Sequence, residues 1–293
     1  MRLISFSDRD GSRIGILEDQ SVIDLAKAAP SLPRDMNALI GLGEQGLAEV
    51  RKAQASSRTR LPLSAVKLLA PIPRPLKNIF AVGKNYHEHA KEFEKSGFDA
   101  TGGNAIPDLP IFFTKAPTSV SAPGDPIPSY LDYTNSTDYE GELTVVIGKA
   151  GRGIKKADAL KHVFGYTIIN DATARTLQSA HKQWFLGKSL DGYCPMGPTL
   201  VTVDEIPDLG KLQLITRVNG ELRQNASVSD LIFDVPTIIE ALSAVMTLEP
   251  GDVIATGTSV GVGIGFKPPK FLKQGDVVAI TIEPIGTLEN PVA

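Results

Sequence analysis

The sequence predicts a mainly β protein of the α+β class, with a small N-terminal α+β domain over residues 1–70 and a larger domain over residues 71–293. Three observations carry this reading. Beyond residue 77, seven segments read as strands broken by Gly, Pro and Asp turns. Only two segments there read as helices, so the regular strand–helix alternation of Rossmann and barrel architectures is missing. Finally, "LLAPIPRPLKNIF" holds three prolines, which forbid regular helix and mark a linker near residues 70–76.

Taken in order, "RLISFSDRDGSRIGILEDQSVIDLA" reads as short strands separated by an Asp-Gly turn and an acidic turn, as in a small antiparallel sheet. A helical segment follows around "MNALIGLGEQGLAEVRKAQA". After the linker come the strands "NIFAVG", "PIFFTKA", "GELTVVIG", "VFGYTIIN", "LQLITRVNG", "DVIATGT" and "DVVAITIEPIG". The two helices are "TARTLQSAHKQWF" and "VPTIIEALSAVMT". No internal repeat or low-complexity tract interrupts the chain.

With 293 residues, 42% hydrophobic and 22% charged, the chain has the profile of a globular protein with ample core. Thirty basic against 33 acidic residues, a formal net charge of −3, offer no global field for nucleic acid or anionic lipid. Small polar or anionic molecules are the expected ligands. Cys194 is the only cysteine, which excludes an intrachain disulfide and thiol-rich zinc sites and fits a reducing cytosol. The start, "MRLISFSDRDGSRIG", turns polar within a few residues, and no apolar run approaches the roughly 20 needed to cross a bilayer. A cytoplasmic protein without export signal or membrane anchor is expected.

The segment "TDYEGELTVVIG", residues 137–148, raises the first chemical question. Period-two alternation puts Leu143, Val145 and Ile147 on one face and Glu140, Glu142 and Thr144 on the other. Like charges side by side repel and lose hydration unless a cation compensates them, and a hard divalent cation such as Mg²⁺ suits oxygen ligands. An edge strand with a wet acidic face is the bland alternative. In "VFGYTIINDATARTLQ" an apolar strand stops at Asn170-Asp171 and hands over to a helix, so Asp171 is either an N-cap or a third carboxylate of a metal site. Arg175 and Gln178 follow at spacings that stack them with Asp171 on one helical face. An arginine fork and an amide beside a metal suit a substrate carboxylate or keto group; solvated side chains are the alternative. Lys188 lies in the Gly- and Pro-rich "WFLGKSLDGYCPMGP", where a surface lysine is the default.

"VGKNYHEHAKEF" places His89 and Glu92 three residues apart, facing each other on a helical turn as a base and its orienting carboxylate. An exposed helix with Glu88, Lys91, Glu92 and Lys95 would look the same. The downstream "EKSGFDATGGNAIPDLP" could form a mobile lid bearing the dyad. "ATGTSVGVGIG" lacks the Lys-Ser/Thr ending of a P-loop and a following helix, so it does not predict nucleotide binding. Its backbone N–H groups, with the Thr258 hydroxyl, could still face an anion.

In their order and spacing, "NYHEHAKE", "DYEGEL", "NDATARTLQ", "GKSLDGYCPMGP" and "ATGTSVGVG", spanning residues 78–263, resemble the motifs of the fumarylacetoacetate hydrolase family. The resemblance implies a mixed β-roll catalytic domain and a homodimer. It implies Mg²⁺ or Mn²⁺ at Glu140, Glu142 and Asp171 and a water-activating dyad of His89 and Glu92 on a lid. It further implies substrate contacts from Tyr86, Arg175, Gln178 and Thr258, with Lys188 acting in catalysis. "GFKPPKFL" resembles the sugar-acid 2,4-dioxo acid hydrolase subgroup. Ser259, Thr176 and Gly192 depart from the common family residues, and none is at a proposed metal ligand.

The expected activity is Mg²⁺-dependent hydrolysis of a C–C bond in a 2,4-dioxo acid. A 2-oxo acid would chelate the metal while Lys188 and Arg175 balance its charge, and His89 would activate a water for attack at C4. The released enolate is shared by two rival reactions, oxaloacetate decarboxylation and isomerisation of an unsaturated 2-oxo diacid. A metal- or ligand-binding protein without turnover is the non-enzymatic alternative; it would lack the base or a metal ligand.

Overall fold

The computed structural model describes residues 1–98 and 106–293. Two sheets enclose the main core. The larger runs, in spatial order, through Leu61–Pro62, Ser21–Asp24, Gly11–Glu18, Arg2–Asp8, Cys194–Thr202, Val163–Asn170, Gly141–Ile147, Val253–Ala255, Ile79–Gly83 and Ile111–Lys115. A second, four-stranded sheet orders Glu221–Ser227, Gln213–Val218, Val277–Ile282 and Gly286–Pro291.

The expected alternation sets the packing. Leu143, Val145 and Ile147 face the second sheet, sharing one cluster with Leu214, Val278 and Ile280, while Val146 joins a separate cluster behind the first sheet. The N-terminal strands are part of this frame, since Arg2 and Leu3 pair with Val201 and Leu200. No helix among the described residues is long and apolar enough to cross a membrane.

Several elements differ from expectation. The helix around residues 36–55 is two helices, Met36–Gly41 and Gly43–Ser56, because Gly43 takes a positive φ of 54° at the break. The helix expected over 173–185 shrinks to Arg175–Ala180 and the single turn Phe185–Lys188. Thr173 and Ala174 pair instead with Asp138 and Thr137, so their backbone belongs to a two-stranded ladder, and Lys182, at φ 58°, stops the helix. Cys194–Thr202 is an additional strand: its two prolines argue against one, yet Pro198 sits where the pairing with Val163–Asn170 shifts register.

Candidate active site

The strand Gly141–Ile147 ends its ladder at Gly141 opposite Asn170, which brings the two acidic ends of the sheet together. Asn170 accepts from the Glu140 backbone N–H at 3.0 Å, and Asp171 donates its own N–H to the Glu140 carbonyl at 2.8 Å. Carboxylate oxygens of Glu140, Glu142 and Asp171 thereby fall within 4.8 Å of one another, all three side chains buried. Asp171 is not an N-cap, since Ala174 occupies that position. Nor does it share a helical face with Arg175 and Gln178; the ladder between them brings the three groups together instead.

Three buried cations hold this cluster. The Lys188 ammonium donates to Glu140 Oε2 and Asp171 Oδ2, each at 2.7 Å. Lys115, fully buried, lies 2.7 Å from Asp171 Oδ1 and donates to the carbonyls of Ala172 and Lys188. Arg175 contacts Glu140 Oε1 at 2.6 Å and donates through Nε to Asp138 Oδ2 at 2.9 Å, with Gln178 accepting from it at 3.3 Å. Such buried pairs cost desolvation and are stabilised only by their mutual attraction, so removing one partner strands a charge in the interior.

The two glutamates are driven apart electrostatically. Burial pushes Glu140 up, but the charges of Arg175 and Lys188 outweigh it and hold the carboxyl well below the usual carboxylate range. Burial, then the negative charges of Asp171 and Glu140, push Glu142 well above that range, although Gly257 N–H donates to it at 2.7 Å. Burial pulls the Lys188 ammonium down, and Asp171 and Glu140 more than reverse that pull. The donor set fits a divalent cation: three hard oxygen ligands in a buried cluster, one of them, Glu142, held well above the usual carboxylate range by its negative neighbours.

His89 and Glu92 lie on the helix His87–Ser96, with Nδ1 3.0 Å from Oε2. His89 lines the same cavity as Glu140, Glu142, Arg175, Gln178, Lys188 and Thr258, together with the aromatic Phe93, Phe113 and Trp184. The expected lid segment 94–110 lies partly outside the described residues. The Thr258 hydroxyl donates to the Gly141 carbonyl at 3.0 Å and accepts from Gln224 at 2.7 Å. Tyr86 is buried, its phenol pushed up by burial and by Glu142, and its hydroxyl has no hydrogen-bond partner. The hydroxyls of Thr144 and of Thr167, opposite it in the ladder, are likewise buried and unpartnered.

The glycine-rich segment does present its N–H groups to anions, and the anions are the protein's own carboxylates. Gly257 donates to Glu142, Gly261 to Glu92, and Gly263 and Ile264 to Asp138 at 2.7 and 3.1 Å. Lys115, Asp138, Gln224 and Trp184 join the site without being expected from the sequence. Of these, only Asp138 carried a signal, as the first acid of "DYEGE".

The family model described as "Fumarylacetoacetate (FAA) hydrolase C-terminal" matches residues 78–293. The chain belongs to the fumarylacetoacetate hydrolase family. It is 50% identical to oxaloacetate tautomerase YisK of Bacillus subtilis (strain 168), over 94% of each chain. The structure of a fumarylacetoacetate hydrolase from Exiguobacterium antarcticum is similar with a TM-score of 0.83 at 42% identity, covering 100% of this chain and 99% of that one. Maleylpyruvate hydrolase from Sphingobium sp. SYK-6, solved with manganese(II) and pyruvate, matches at a TM-score of 0.80 and 32% identity, with coverage of 100% and 99%. The family thus includes tautomerases as well as hydrolases, and this chain is an enzyme of the fumarylacetoacetate hydrolase type with a buried three-carboxylate cluster.

Proposed function

We propose that the protein is a divalent-metal-dependent enzyme that interconverts the keto and enol forms of a 2-oxo dicarboxylic acid of the oxaloacetate type. The observation that carries this reading is His89, backed by Glu92, lining one cavity with Glu140, Glu142, Arg175 and Lys188. The likeness to a relative named oxaloacetate tautomerase supports it.

Glu140, Glu142 and Asp171 would hold Mg²⁺ or Mn²⁺, which supplies Lewis-acid polarisation of the keto oxygen when bound. Arg175, already held by Asp138, Glu140 and Gln178, would offer its remaining Nη hydrogens to a substrate carboxylate. His89, through Nε2, takes the proton from C3; the C3–H electron pair forms the C2–C3 double bond, and the C2 oxygen takes up the negative charge. Protonation of that oxygen gives the enol, and the reverse sequence returns the ketone. Phe93, Phe113 and Trp184 add an apolar part to the cavity lining, which would limit water around the reactive enolate.

The same base supports a second reading, hydrolysis of a 2,4-dioxo acid, because a histidine–glutamate pair can equally activate water. The likeness to maleylpyruvate hydrolase, solved with manganese(II) and pyruvate, favours keeping it. Ultraviolet absorbance of the enol in freshly dissolved oxaloacetate separates the two. Tautomerisation speeds the approach to equilibrium without net substrate loss and stops with EDTA. Faster consumption of an acylpyruvate than of any oxaloacetate form would instead establish the hydrolase.

A further inference from the structure

The contact between Glu92 and the glycine-rich segment reaches beyond support. Gly261 donates its backbone N–H to Glu92 Oε1 at 3.1 Å and more weakly to Oε2 at 3.4 Å, while Oε2 lies 3.0 Å from His89 Nδ1. A carboxylate has only acceptors, so in the uncharged ring Nδ1 carries the hydrogen and Nε2 keeps its lone pair. From this geometry we infer that the Gly261 N–H, acting through Glu92, fixes the His89 tautomer that leaves Nε2 as the base. This rests on His89 being the base in the proposed reaction.

The segment is built to hold that donor in place. Gly261 has φ +107°, and a Cβ there would overlap the Arg223 carbonyl. A Cβ on Gly265 would overlap Glu92 Oε1, so glycine is what allows the chain to pass so close to the carboxylate. Two residues beyond Gly261, Gly263 and Ile264 are tied to Asp138, which also holds Arg175. The donor is therefore fixed from one side and the His89–Glu92 spacing from the other, by their three-residue separation on one helix.

A rigid N–H aimed at the carboxylate, closer to Oε1 than to Oε2, makes the site selective about what stands at position 92. In Glu92→Gln the amide oxygen must take the Gly261 N–H, which turns the amide NH₂ toward His89 Nδ1. Nδ1 then accepts, the ring hydrogen moves to Nε2, and the base is lost. Glu92→Ala removes the orienting group but leaves the ring free to adopt either tautomer. The isosteric replacement is thus the more damaging one.

The test is nitrogen NMR of ¹⁵N-histidine-labelled protein with Mg²⁺ and no substrate, with His89→Asn used to assign the ring. Wild type should show the Nδ1–H tautomer, Glu92→Gln the Nε2–H tautomer, and Glu92→Ala a mixture. On oxaloacetate, kcat should fall about tenfold in Glu92→Ala and at least about a hundredfold in Glu92→Gln, the scale of losing a positioned base. An Nε2–H tautomer in wild type overturns the inference and needs no variant to fold. So does an Nδ1–H tautomer in Glu92→Gln, or a loss in Glu92→Ala as large as in Glu92→Gln. The predicted tautomers in a protein that turns over no oxo acid would instead remove the proposed function and leave the tautomer assignment standing.

Discussion

The Lys188 ammonium lies 2.7 Å from Glu140 Oε2, with both groups buried. Lys188 bridges Glu140 to Asp171 and, after Arg175, supplies the positive charge that holds Glu140 well below the usual carboxylate range. Lys188→Met keeps most of the length of the side chain and removes the charge. Metal-free Lys188→Met should lose about 3–5 kcal/mol of stability in urea unfolding, as expected for a broken buried ion pair. Turnover of oxaloacetate should fall by at least about tenfold. Stability equal to wild type would show that the ammonium is dispensable to the cluster.

Burial and the negative charges of Asp171 and Glu140 hold Glu142 well above the usual carboxylate range in the metal-free protein. Its folded value lies above the unfolded one, so its contribution to stability is present at low pH and is lost as pH rises through the folded value. A bound divalent cation reverses this sign, because it requires the carboxylate. Binding should therefore release a proton and tighten with pH. Calorimetric titration with Mn²⁺ in two buffers of different ionisation enthalpy reads the proton directly. Identical heats in both would refute the protonated Glu142.

Burial pushes the Cys194 thiol up from 9.0 to about 12, although Lys115 works against it. The raised folded value means that its stabilisation is complete below pH 9 and disappears between pH 9 and 12. Stability should fall with a slope of up to about 1.4 kcal/mol per pH unit in that window. Cys194→Ala should flatten the decline between pH 9 and 10, below the ordinary range of the buried tyrosines. The native thiol should also resist iodoacetamide at pH 8, and rapid alkylation of the folded protein would contradict its burial.

Gly83 lies against the Trp184 ring, and a Cβ there would overlap the ring carbons. Gly83→Ala must displace an indole already held edge-on by Phe93 and Phe113, at a cost of about 1–3 kcal/mol from overpacking. Because Trp184 lines the cavity, KM for oxaloacetate should rise more than metal affinity changes. An unaltered KM would remove Trp184 from the substrate-facing wall.

Much of the site was legible because its signals are local. Two acids on one face of an apolar strand, and a histidine three residues from a glutamate, need only the period of a strand or helix to be read. What escaped depends on contacts between distant segments. Lys115 sits in "PIFFTKA" with nothing nearby to mark it, and its partner Asp171 lies 56 residues on. The short helix after Asp171 was overestimated because the competing ladder with Thr137 and Asp138 comes from another part of the chain. The glycine-rich segment was read as able to face an anion, and only the fold reveals that Glu142, Glu92 and Asp138 fill that role.

The most direct measurement of one cavity joining a metal to a base is the keto–enol interconversion rate of oxaloacetate with His89→Ala, saturated with Mn²⁺ and checked by calorimetry for wild-type metal affinity. The expected result is a rate lower by about 10²–10⁴, the contribution of a positioned general base, at unchanged Mn²⁺ affinity. A rate within twofold of wild type would contradict the role of His89 and, with it, the proposed chemistry.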